Sequence, residues 1–519
     1  MGRVTIDPIT RIEGHLKVDV QVEDGRVSEA VVVGTLFRGI ELILAGRDPR
    51  DAQRLTQRIC GVCPTSHSIA STLSLDSAFG LADKIPDNGR LLRNLILGSA
   101  HIADHILHFY HLCALDYVDV ASVATYTGRD SALLSLKEFI ERGELGPFIP
   151  RYEGDYRLPV EVNQELALHY VQALRMRRKG QEMLAVFGGK MPHNMAVVPG
   201  GVTEKPTVDK IASFLWRLNE LREFIDGTYL PDVLLVAGAY PDYFEIGRGC
   251  GRYLSYGSYD LDGTDPDLTT RARLYKAGTV SSDLQWAPLD IDKITEQVAH
   301  SWYEGNGAGL HPSAGTTNPD EDREGAYSWV KSPRYDGAVY EVGPLARFLV
   351  SYAAGQPHVK EMVDQALSAV GRGPEALSSV LGRHLTRALD TKLVADTMVD
   401  WLLLLKPGEP AYTPYELPQE ATGMGLVEGA RGALGHWVEI KDAKISRYQC
   451  VVPSTWNMSP RDESGALGPL EQALLGTGVR DEANPFELVR IVRSFDPCLA
   501  CAVHVIDPAG RSLAEFRVS

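Results

Sequence analysis

Apolar and polar residues alternate over residues 4–35, which predicts that the chain opens with β-strands. The alternation runs on both sides of the turn sequence Glu23-Asp24-Gly25. An Asp-Gly pair between two alternating runs is typical of a β-hairpin. We therefore expect a hairpin or small antiparallel sheet at the N-terminus.

From residue 48 onward, apolar residues recur at intervals of three and four, which indicates amphipathic helices. The predicted helices cover residues 50–59, 64–81, 88 to about 118, 161–187, 206–228, 356–372, 374–395 and 398–406. Between them, residues 240–350 are richer in Gly, Pro, Tyr and Asp, which favours short strands and irregular loops.

Neither a linker nor an internal repeat divides the sequence. We therefore predict an α+β fold. It is a helix-rich single intertwined domain with a central bundle of long helices, an N-terminal hairpin or small sheet, and peripheral short strands.

The composition describes an acidic protein with enough apolar residues for a large core. Of 519 residues, 44% are hydrophobic, and the net charge of −16 repels the phosphate backbone of nucleic acids. The first residues lack the apolar stretch of a signal peptide, and no apolar run approaches the roughly 20 residues of a membrane-spanning helix. We expect no nucleic-acid partner and no direct insertion into a membrane.

Two Cys-x-x-Cys pairs lie at opposite ends of the chain. Cys60 and Cys63 stand between two predicted helices, and Cys498 and Cys501 stand near the C-terminus. Such spacing lets one loop direct two thiolates at a single soft metal ion. The fold must bring the pairs together to complete a four-thiolate site.

Spacing alone favours a structural zinc site or an iron–sulfur cluster. Three details point elsewhere. Almost the whole chain separates the pairs, whereas zinc-binding pairs usually lie about 15–20 residues apart. Each pair is also followed by a histidine, His67 or His504, and preceded by a charged residue, Arg58 or Asp496.

With these pairs the chain resembles the large, catalytic subunit of nickel–iron hydrogenases. The resemblance spans nearly the whole sequence, and its other segments occur in the family's order: Asp7-Pro-Ile-Thr-Arg-Ile-Glu-Gly-His15, Phe37-Arg-Gly-Ile-Glu41, Phe187-Gly-Gly-Lys-Met-Pro-His193, Lys331-Ser-Pro-Arg-Tyr335, Glu341-Val-Gly-Pro-Leu-Ala-Arg347 and Val452-Pro-Ser-Thr-Trp-Asn457. It implies reversible cleavage of H2 into two protons and two electrons.

The resemblance also implies the ligands of the metals. Cys60 and Cys498 match the terminal ligands of nickel, and Cys63 and Cys501 match the ligands that bridge nickel to an iron carrying two cyanides and one carbon monoxide. Soft, strongly donating thiolates suit both metals.

Glu13 matches the glutamate that relays protons beside the thiolate of Cys498 in the family. Proton exit from a buried site needs such a carboxyl group within hydrogen-bond reach. Without the motif, a glutamate beside Arg11 would be interpreted as an exposed or ion-paired residue of the hairpin.

Arg431 and Ser454 match the residues that hydrogen-bond the cyanides, and Val452 is placed with them in the cofactor pocket. The sequence departs from the family pattern just before the arginine, where Gly429-Ala430 replaces the usual Ala-Pro. Because proline fixes its backbone, we expect this wall of the pocket to be held less rigidly here.

Asp104 and Asp496 match two aspartates that pair with Arg431 above the metals, so that no buried charge lacks a partner. Asp496 also suits a helix N-cap before Pro497. His67 matches a neighbour that hydrogen-bonds a bridging sulfur without binding a metal.

His101, His105 and His108 share one face of a predicted helix, which superficially resembles a metal-binding pattern. We interpret this stripe as a partly buried helix face. Cys113 and Cys250 have no partner at ligand spacing and are predicted to be buried small hydrophobes.

A second ion, magnesium or iron, is implied near the C-terminus. Glu41, the main-chain carbonyl of Cys450, and His504 match its ligands, with waters completing the shell. Residues 505–519 match an extension that a dedicated maturation protease removes after nickel insertion; an ordinary terminal strand or frayed end is the alternative. We expect the domain to span residues 1–504 and the mature chain to end at His504.

The remaining cysteines are too few for a relay of iron–sulfur clusters, so the electrons need a partner. The resemblance implies an iron–sulfur small subunit in a heterodimer, or in a dimer of heterodimers, docked over a large surface. Export would then use the partner's signal, which predicts a periplasmic or membrane-associated location, with a cytoplasmic one as the alternative. The segment Pro147–Tyr156 resembles the selenium-containing branch, but Cys498 stands where that branch has selenocysteine.

Two rival functions are weighed against this one. The first is a zinc-stabilised scaffold of a redox complex without activity. The second is a related subunit of respiratory complexes that kept the fold and lost the metals, and the intact set of four cysteines argues against it. Cofactor-linked and hydrogen-sensing relatives share the same motifs.

Overall fold

Segments far apart in the sequence interleave in the computed structural model, which describes residues 2–143, 148, 151 and 154–502. The α-helices are α1 Ile40–Leu44, α2 Ala52–Thr56, α3 Pro64–Ala78, α4 Asp87–Leu107, α5 Ser131–Glu141, α6 Val160–Gly188, α7 Val208–Phe224, α8 Leu230–Ala239, α9 Pro344–Ala353, α10 Pro357–Ala369, α11 Val380–Leu403, α12 Pro453–Asn457, α13 Pro469–Leu474, α14 Phe486–Ser494 and α15 Leu499–Ala502. Two π-helical turns, His108–Cys113 and Ile225–Tyr229, follow α4 and α7.

The strands form small antiparallel sheets. They are β1 Gly2–Ile6, β2 Leu16–Glu23, β3 Arg26–Gly34, β4 Val197–Val198, β5 Gly201–Val202, β6 Tyr253–Asp260, β7 Arg273–Val280, β8 Trp286–Ala287, β9 Ile294–Gln297, β10 Ser332–Tyr335, β11 Ala421–Gly429, β12 Gly432–Lys441 and β13 Lys444–Val451. The strand orders are β1-β2-β3, β4-β5, β6-β7-β8, β10-β9 and β11-β12-β13. With its helices, the molecule has the predicted α+β fold.

The N-terminal hairpin is confirmed and carries a third strand. β2 pairs with β3 from Leu16 opposite Gly34 to Glu23 opposite Arg26. Asp24 and Gly25 both have positive φ, 50° and 72°, as a two-residue hairpin turn requires. One hydrophobic core then joins this sheet to the last described residues, because Val4 and Cys501 belong to the same cluster.

Most predicted helices are present, with three differences. The helices predicted over 374–395 and 398–406 are one helix, α11, which begins only at Val380 after a separate 3-10 turn, Pro374–Leu377. The helix predicted to reach residue 118 leaves α geometry after Leu107. The sheet β11-β12-β13 was not predicted. Its strands are buried on both faces near their ends, so alternation is weak there.

Helix α3 is buried on all sides over residues 64–76, and β11 packs directly on it. Glycines make this approach sterically allowed. A Cβ on Gly425 would lie 2.0 Å from the carbonyl oxygen of Ala70, and one on Gly423 would lie 2.0 Å from that of Ser74. Since α3 begins at Pro64, directly after Cys63, this packing fixes the start of the helix. Among the described residues, no helix is both long enough and apolar enough to cross a membrane.

We expect Gly425→Ala to destabilise the protein by about 1–3 kcal/mol, because the new methyl group overlaps backbone atoms of α3 that cannot rotate away. Thermal unfolding of the purified variant measures the effect. Gly238→Ala is the matched control, since no atom lies within 4 Å of a Cβ there, in α8. An unfolding midpoint for Gly425→Ala equal to that of the control would contradict the packing argument.

Candidate metal centre

Four buried thiols from opposite ends of the chain converge at one point. The Sγ of Cys498 lies 3.4 Å from that of Cys60, 3.9 Å from that of Cys63 and 2.9 Å from that of Cys501. The Sγ atoms of Cys63 and Cys501 are 3.2 Å apart. All four sulfurs lie within 4.8 Å of one another, and none forms a disulfide.

Each pair of thiols stands at the start of a helix. Cys63 precedes Pro64, the first residue of α3, and proline is favoured at that position because its missing N–H needs no partner there. Cys498 directly precedes α15, and Cys501 lies within it. Cys60 lies in the loop before α3, where its Sγ accepts the N–H groups of Val62 and Cys63.

Glu13 is held beside Cys498 by main-chain bonds. Its N–H donates to the carbonyl of Pro497 at 3.3 Å, and its carbonyl accepts from the N–H of Leu499 at 2.8 Å. The carboxylate Oε2 then lies 3.2 Å from the Sγ of Cys498 and accepts the N–H of Ala500 at 3.0 Å. Burial raises the pKa of Glu13, and the neighbouring Cys60 thiolate adds to the rise.

Two further contacts join the chain ends. The Arg38 guanidinium donates to the carbonyls of Ile59 and Ala500, so it spans both cysteine loops. The Asp116 carboxylate accepts hydrogen bonds from the guanidinium groups of Arg11 and Arg493, each at 2.5 Å. One buried carboxylate thereby links the segment of Glu13 to α14, which leads into Cys498.

A small cavity adjoins the thiols, and a guanidinium without hydrogen bonds faces it. The cavity is lined by Cys63, Ser66, His67, Gly429, Ala430, Arg431, Leu434, Pro453, Ser454, Cys498 and Cys501. Arg431 is buried, and none of its three nitrogens makes a hydrogen bond of normal geometry within the described part of the chain. Because a buried donor without a hydrogen bond is costly, the Arg431 guanidinium favours a hydrogen-bond acceptor in the adjoining cavity.

The Arg431 guanidinium lies beside the two predicted aspartates. Its nitrogens lie 3.1 Å from Asp496 and 3.7 Å from Asp104. Burial raises the pKa of Asp104 to about 8, against the opposing effect of the guanidinium. Asp496 follows α14 with a positive φ of 55°, a conformation that aspartate tolerates better than most residues, and this turn redirects the chain towards Cys498.

Ser454 lines the cavity, whereas Val452 is not among the lining residues. The Ser454 hydroxyl accepts the N–H of Cys498 at 2.9 Å, which leaves its own proton free to donate into the cavity. Val452 is buried directly before Pro453, at the start of α12.

His67 lies beside the Cys63–Cys501 side of the cluster. Its Nε2 is 3.4 Å from the Sγ of Cys501, and its Nδ1 is 3.2 Å from Nε2 of His436. His436 in turn contacts the hydroxyl of Tyr448 at 2.8 Å. Burial lowers the pKa of His67 to about 4, so the ring is neutral and can donate to a thiolate.

The histidine stripe of α4 has hydrogen-bond partners. His101 contacts the hydroxyl of Tyr259 at 2.6 Å, and His105 contacts Asp390 at 2.7 Å. His108 contacts the carbonyl of Arg493 at 2.7 Å. These contacts agree with a helix face buried in the core.

The π-helical turn after α4 brings Cys113 to within 3.2 Å of Nε2 of His108, and His384 lies within 4.8 Å of both. Charged groups of both signs surround this cluster, Arg387 and Arg493 on one hand and Asp116 and Asp496 on the other. Burial raises the pKa of the Cys113 thiol, which stays neutral as a buried small group. Cys250 is half-buried, and its thiol donates to the carbonyl of Arg252 at 3.3 Å.

Part of the second predicted ion site is described. Glu41 accepts the main-chain N–H of Cys450 at 2.7 Å and the hydroxyl of Thr317. Nearby, buried Lys331 lies 3.4 Å from Glu296, so two carboxylates share one ammonium group. His504, the third predicted ligand, lies outside the described residues, as does the extension after it.

The residues present fit a soft metal centre. Four thiolates prefer soft or borderline metals. The cavity and the free donors of Arg431 suit additional anionic or acceptor ligands, which a closed zinc site does not have.

Several residues of the site were not predicted. Arg38, Arg347 and Lys331 stand in the segments that carry the resemblance, so the motifs flagged them without giving them roles. His436 and Asp116 had no sequence signal, because their contacts with His67 and Arg11 each span more than a hundred residues.

Comparisons with known proteins agree with this geometry. A family model described as nickel-dependent hydrogenase matches residues 38–504, and another described as HoxL-like matches residues 3–33. The chain is 42% identical to the periplasmic [NiFeSe] hydrogenase large subunit of Desulfomicrobium baculatum, covering 97% of this chain and 95% of that protein. It is 38% identical to the uptake hydrogenase large subunit of Bradyrhizobium diazoefficiens, covering 99% and 97%.

Solved structures give the same result. The Ni-Fe-Se hydrogenase of Desulfovibrio vulgaris Hildenborough in its reduced state superposes with a TM-score of 0.85 at 42% identity, covering 97% of this chain and all of that one. The [NiFeSe]-hydrogenase of Desulfomicrobium baculatum superposes with a TM-score of 0.86 at 41% identity.

Proposed function

The chain belongs to the nickel-dependent hydrogenase family as a catalytic large subunit, and we propose how its residues cleave H2. The carrying observation is the convergence of four buried thiols beside a guanidinium whose donors face an adjoining cavity. Cys60, Cys63, Cys498 and Cys501 would hold nickel. When bound, the nickel–iron centre supplies the chemistry that removes two electrons from H2.

We assign the second metal to the cavity side of the thiols. Cys63, Cys498 and Cys501 line the cavity, and by the resemblance Cys63 and Cys501, whose sulfurs lie 3.2 Å apart, would be the ligands shared with this metal. Arg431 and Ser454 would donate to the cyanides of an iron that carries two cyanides and one carbon monoxide. Apolar Leu434 and Pro453 complete the wall and exclude water.

Glu13 carries a proton away from the site. Its carboxylate lies 3.2 Å from the sulfur of Cys498, which is within reach of a thiol proton. In our proposal H2 yields two protons and two electrons. Each proton would pass in turn to the Cys498 sulfur and from there to Glu13, and the electrons would leave to the small subunit. The bond between Ala500 N–H and Glu13 keeps the carboxylate oriented for this transfer.

As a large subunit, the chain works with a small subunit. We propose that this partner carries iron–sulfur clusters, because the remaining Cys113, Cys250 and Cys450 stand apart as free thiols. Complexes of this kind would be heterodimers or dimers of heterodimers. We place the complex in the periplasm or at the membrane through the partner, since one relative is named periplasmic.

Selenium is not part of the proposal. Several relatives are named for a nickel–iron–selenium centre, but residue 498 is cysteine here. We propose a magnesium or iron ion at Glu41, the Cys450 carbonyl and His504; the pair of buried carboxylates at Glu41 and Glu296 supports a cation there. The zinc-stabilised scaffold finds no support in the relatives described above.

Infrared spectra and metal analysis of the purified complex test the centre. We expect bands of metal-bound carbon monoxide and cyanide together with one nickel per large subunit. Zinc in the four thiolates with no such bands would overturn the catalytic assignment.

Glu13→Gln should lower H2 oxidation and the exchange of D2 with water protons by about 10²–10⁴-fold, because an amide cannot relay the proton. Nickel content and the infrared bands should stay unchanged, since Glu13 is not a ligand. Glu23→Gln, at an exposed position ending β2, is the control. Wild-type exchange in Glu13→Gln would eliminate this relay.

We propose that a maturation protease removes residues 505–519 after His504. The intact mass of the large subunit in active enzyme should then equal that of residues 1–504. Active enzyme whose mass includes Arg511 to Ser519 would contradict this cleavage.

A further inference from the structure

The wall of the cavity that carries Arg431 is a tight hairpin turn. β11 ends at Gly429 and β12 begins at Gly432, and these two residues pair with each other. Ala430 and Arg431 are therefore the two central residues of the turn. Gly432 has a φ of 123°, and a Cβ there would lie 2.4 Å from the N atom of Gly343. The turn therefore rests directly on the backbone that precedes α9.

The Arg347 guanidinium, on α9, forms hydrogen bonds with this turn. Its Nη1 donates to the carbonyl of Gly429 at 2.7 Å, and its Nη2 donates to the carbonyl of Ala430 at 2.9 Å. These are the two peptide carbonyls directly before Arg431. The Arg347 side chain is completely buried, so water cannot replace either bond.

Arg347 is itself fixed by two buried carboxylates. Nη1 also lies 3.1 Å from Glu428, and Nη2 lies 2.9 Å from Asp390. Asp390 is held in turn by His105 at 2.7 Å and by the hydroxyl of Tyr275. The planar guanidinium thus has four fixed acceptors, a geometry that one ammonium group cannot reproduce.

The segment of Arg347 also contacts the other wall of the cavity. The side chain of Asn457 accepts the N–H of Val342 at 3.0 Å and donates to its carbonyl at 2.8 Å. Asn457 ends α12, the helix that carries Ser454. Residues 341–347 therefore connect the turn of Arg431 to the helix of Ser454.

We propose that Arg347 is a positioning residue for the pocket of the iron ligands. It fixes the Gly429–Ala430 carbonyls and so holds the Arg431 donors in place. Glycine followed by alanine leaves this turn with more backbone freedom than proline would, and the Arg347 bonds restrain it instead. The inference rests on the proposed function, because the acceptors in the pocket are the cyanides of the iron.

Arg347→Lys tests the role in the intact complex. We expect nickel and iron contents equal to the wild type, because no thiol is changed. The cyanide infrared bands should shift and broaden, since Arg431 would sample several positions against its acceptors. Cyanide bands with wild-type position and width in Arg347→Lys would overturn the proposal.

Arg273→Lys is the matched control. Arg273 is also buried, pairs with Asp260 at 2.7 Å and donates to the carbonyl of Leu426 on the same strand, β11. Its loss perturbs the sheet without releasing the turn. The cyanide bands of Arg273→Lys should therefore keep their wild-type position. An equal shift in Arg273→Lys and Arg347→Lys would show that Arg347 has only a general structural role.

Ala430→Pro provides a second test. Proline suits the first central position of a turn, and Ala430 does not have positive φ. Because Ala430 lines the cavity, the bands of Ala430→Pro serve as their own reference. Proline restrains the turn without Arg347, so adding Arg347→Lys to Ala430→Pro should broaden the cyanide bands less than adding it to the wild type. Equal broadening in the two backgrounds would overturn the proposal.

The two proposals fail in different ways. A wild-type complex without carbon monoxide or cyanide bands would refute the proposed centre. A wild-type complex with these bands, and an Arg347→Lys variant with identical ones, would refute only the role of Arg347.

Discussion

The union of the two chain ends is the constraint on which the site depends. Glu13 is bonded through its main chain to residues 497–499, so the Glu13 carboxylate, which we propose as the proton relay, and the Cys498 thiol are held together. A Cβ on Gly14 would lie 2.7 Å from the N atom of Ala500, so only glycine permits this close approach. Arg38 and Asp116 add charged contacts at each side of the same junction. Any loosening of this junction would therefore disturb both the thiol cluster and the Glu13 carboxylate.

Buried charge is the second organising feature. Arg347, Arg431 and Arg493 are all nearly inaccessible to solvent, and each faces at least one buried carboxylate. Taking such ions out of water is costly, and breaking one pair leaves an uncompensated charge, which typically costs about 3–5 kcal/mol. The pairs are therefore weak sources of net stability. They are strong determinants of geometry, because each guanidinium has only one orientation that satisfies its partners.

The sequence was informative where chemistry is local and uninformative where it depends on distant packing. The Cys-x-x-Cys spacing predicted that Cys60 and Cys63 belong to a metal site, and the motif around Glu13 predicted its neighbour Cys498. The hairpin around Asp24-Gly25 followed from alternation and turn chemistry. By contrast, Gly425 is required only because α3 lies against β11, and Asp116 matters only because Arg11 and Arg493 meet at it. The expectation of a looser pocket wall at Gly429-Ala430 considered only the missing proline. Arg347, the fourth residue of α9, donates hydrogen bonds to the carbonyls of both residues and so restrains the turn in a way that the local sequence does not reveal.

Closure of the site and metal binding are thermodynamically linked. Thiolates bind metals only after losing their protons, and four adjacent buried thiolates without a cation would repel one another. Two of the four come from the last described residues, so the C-terminal segment cannot settle against Cys60 and Cys63 with all sulfurs ionised until a cation balances them. Glu13 depends on the same step, since its bonds run to Pro497, Leu499 and Ala500. The proposed proton relay is therefore assembled by the same closure that brings the four thiols together.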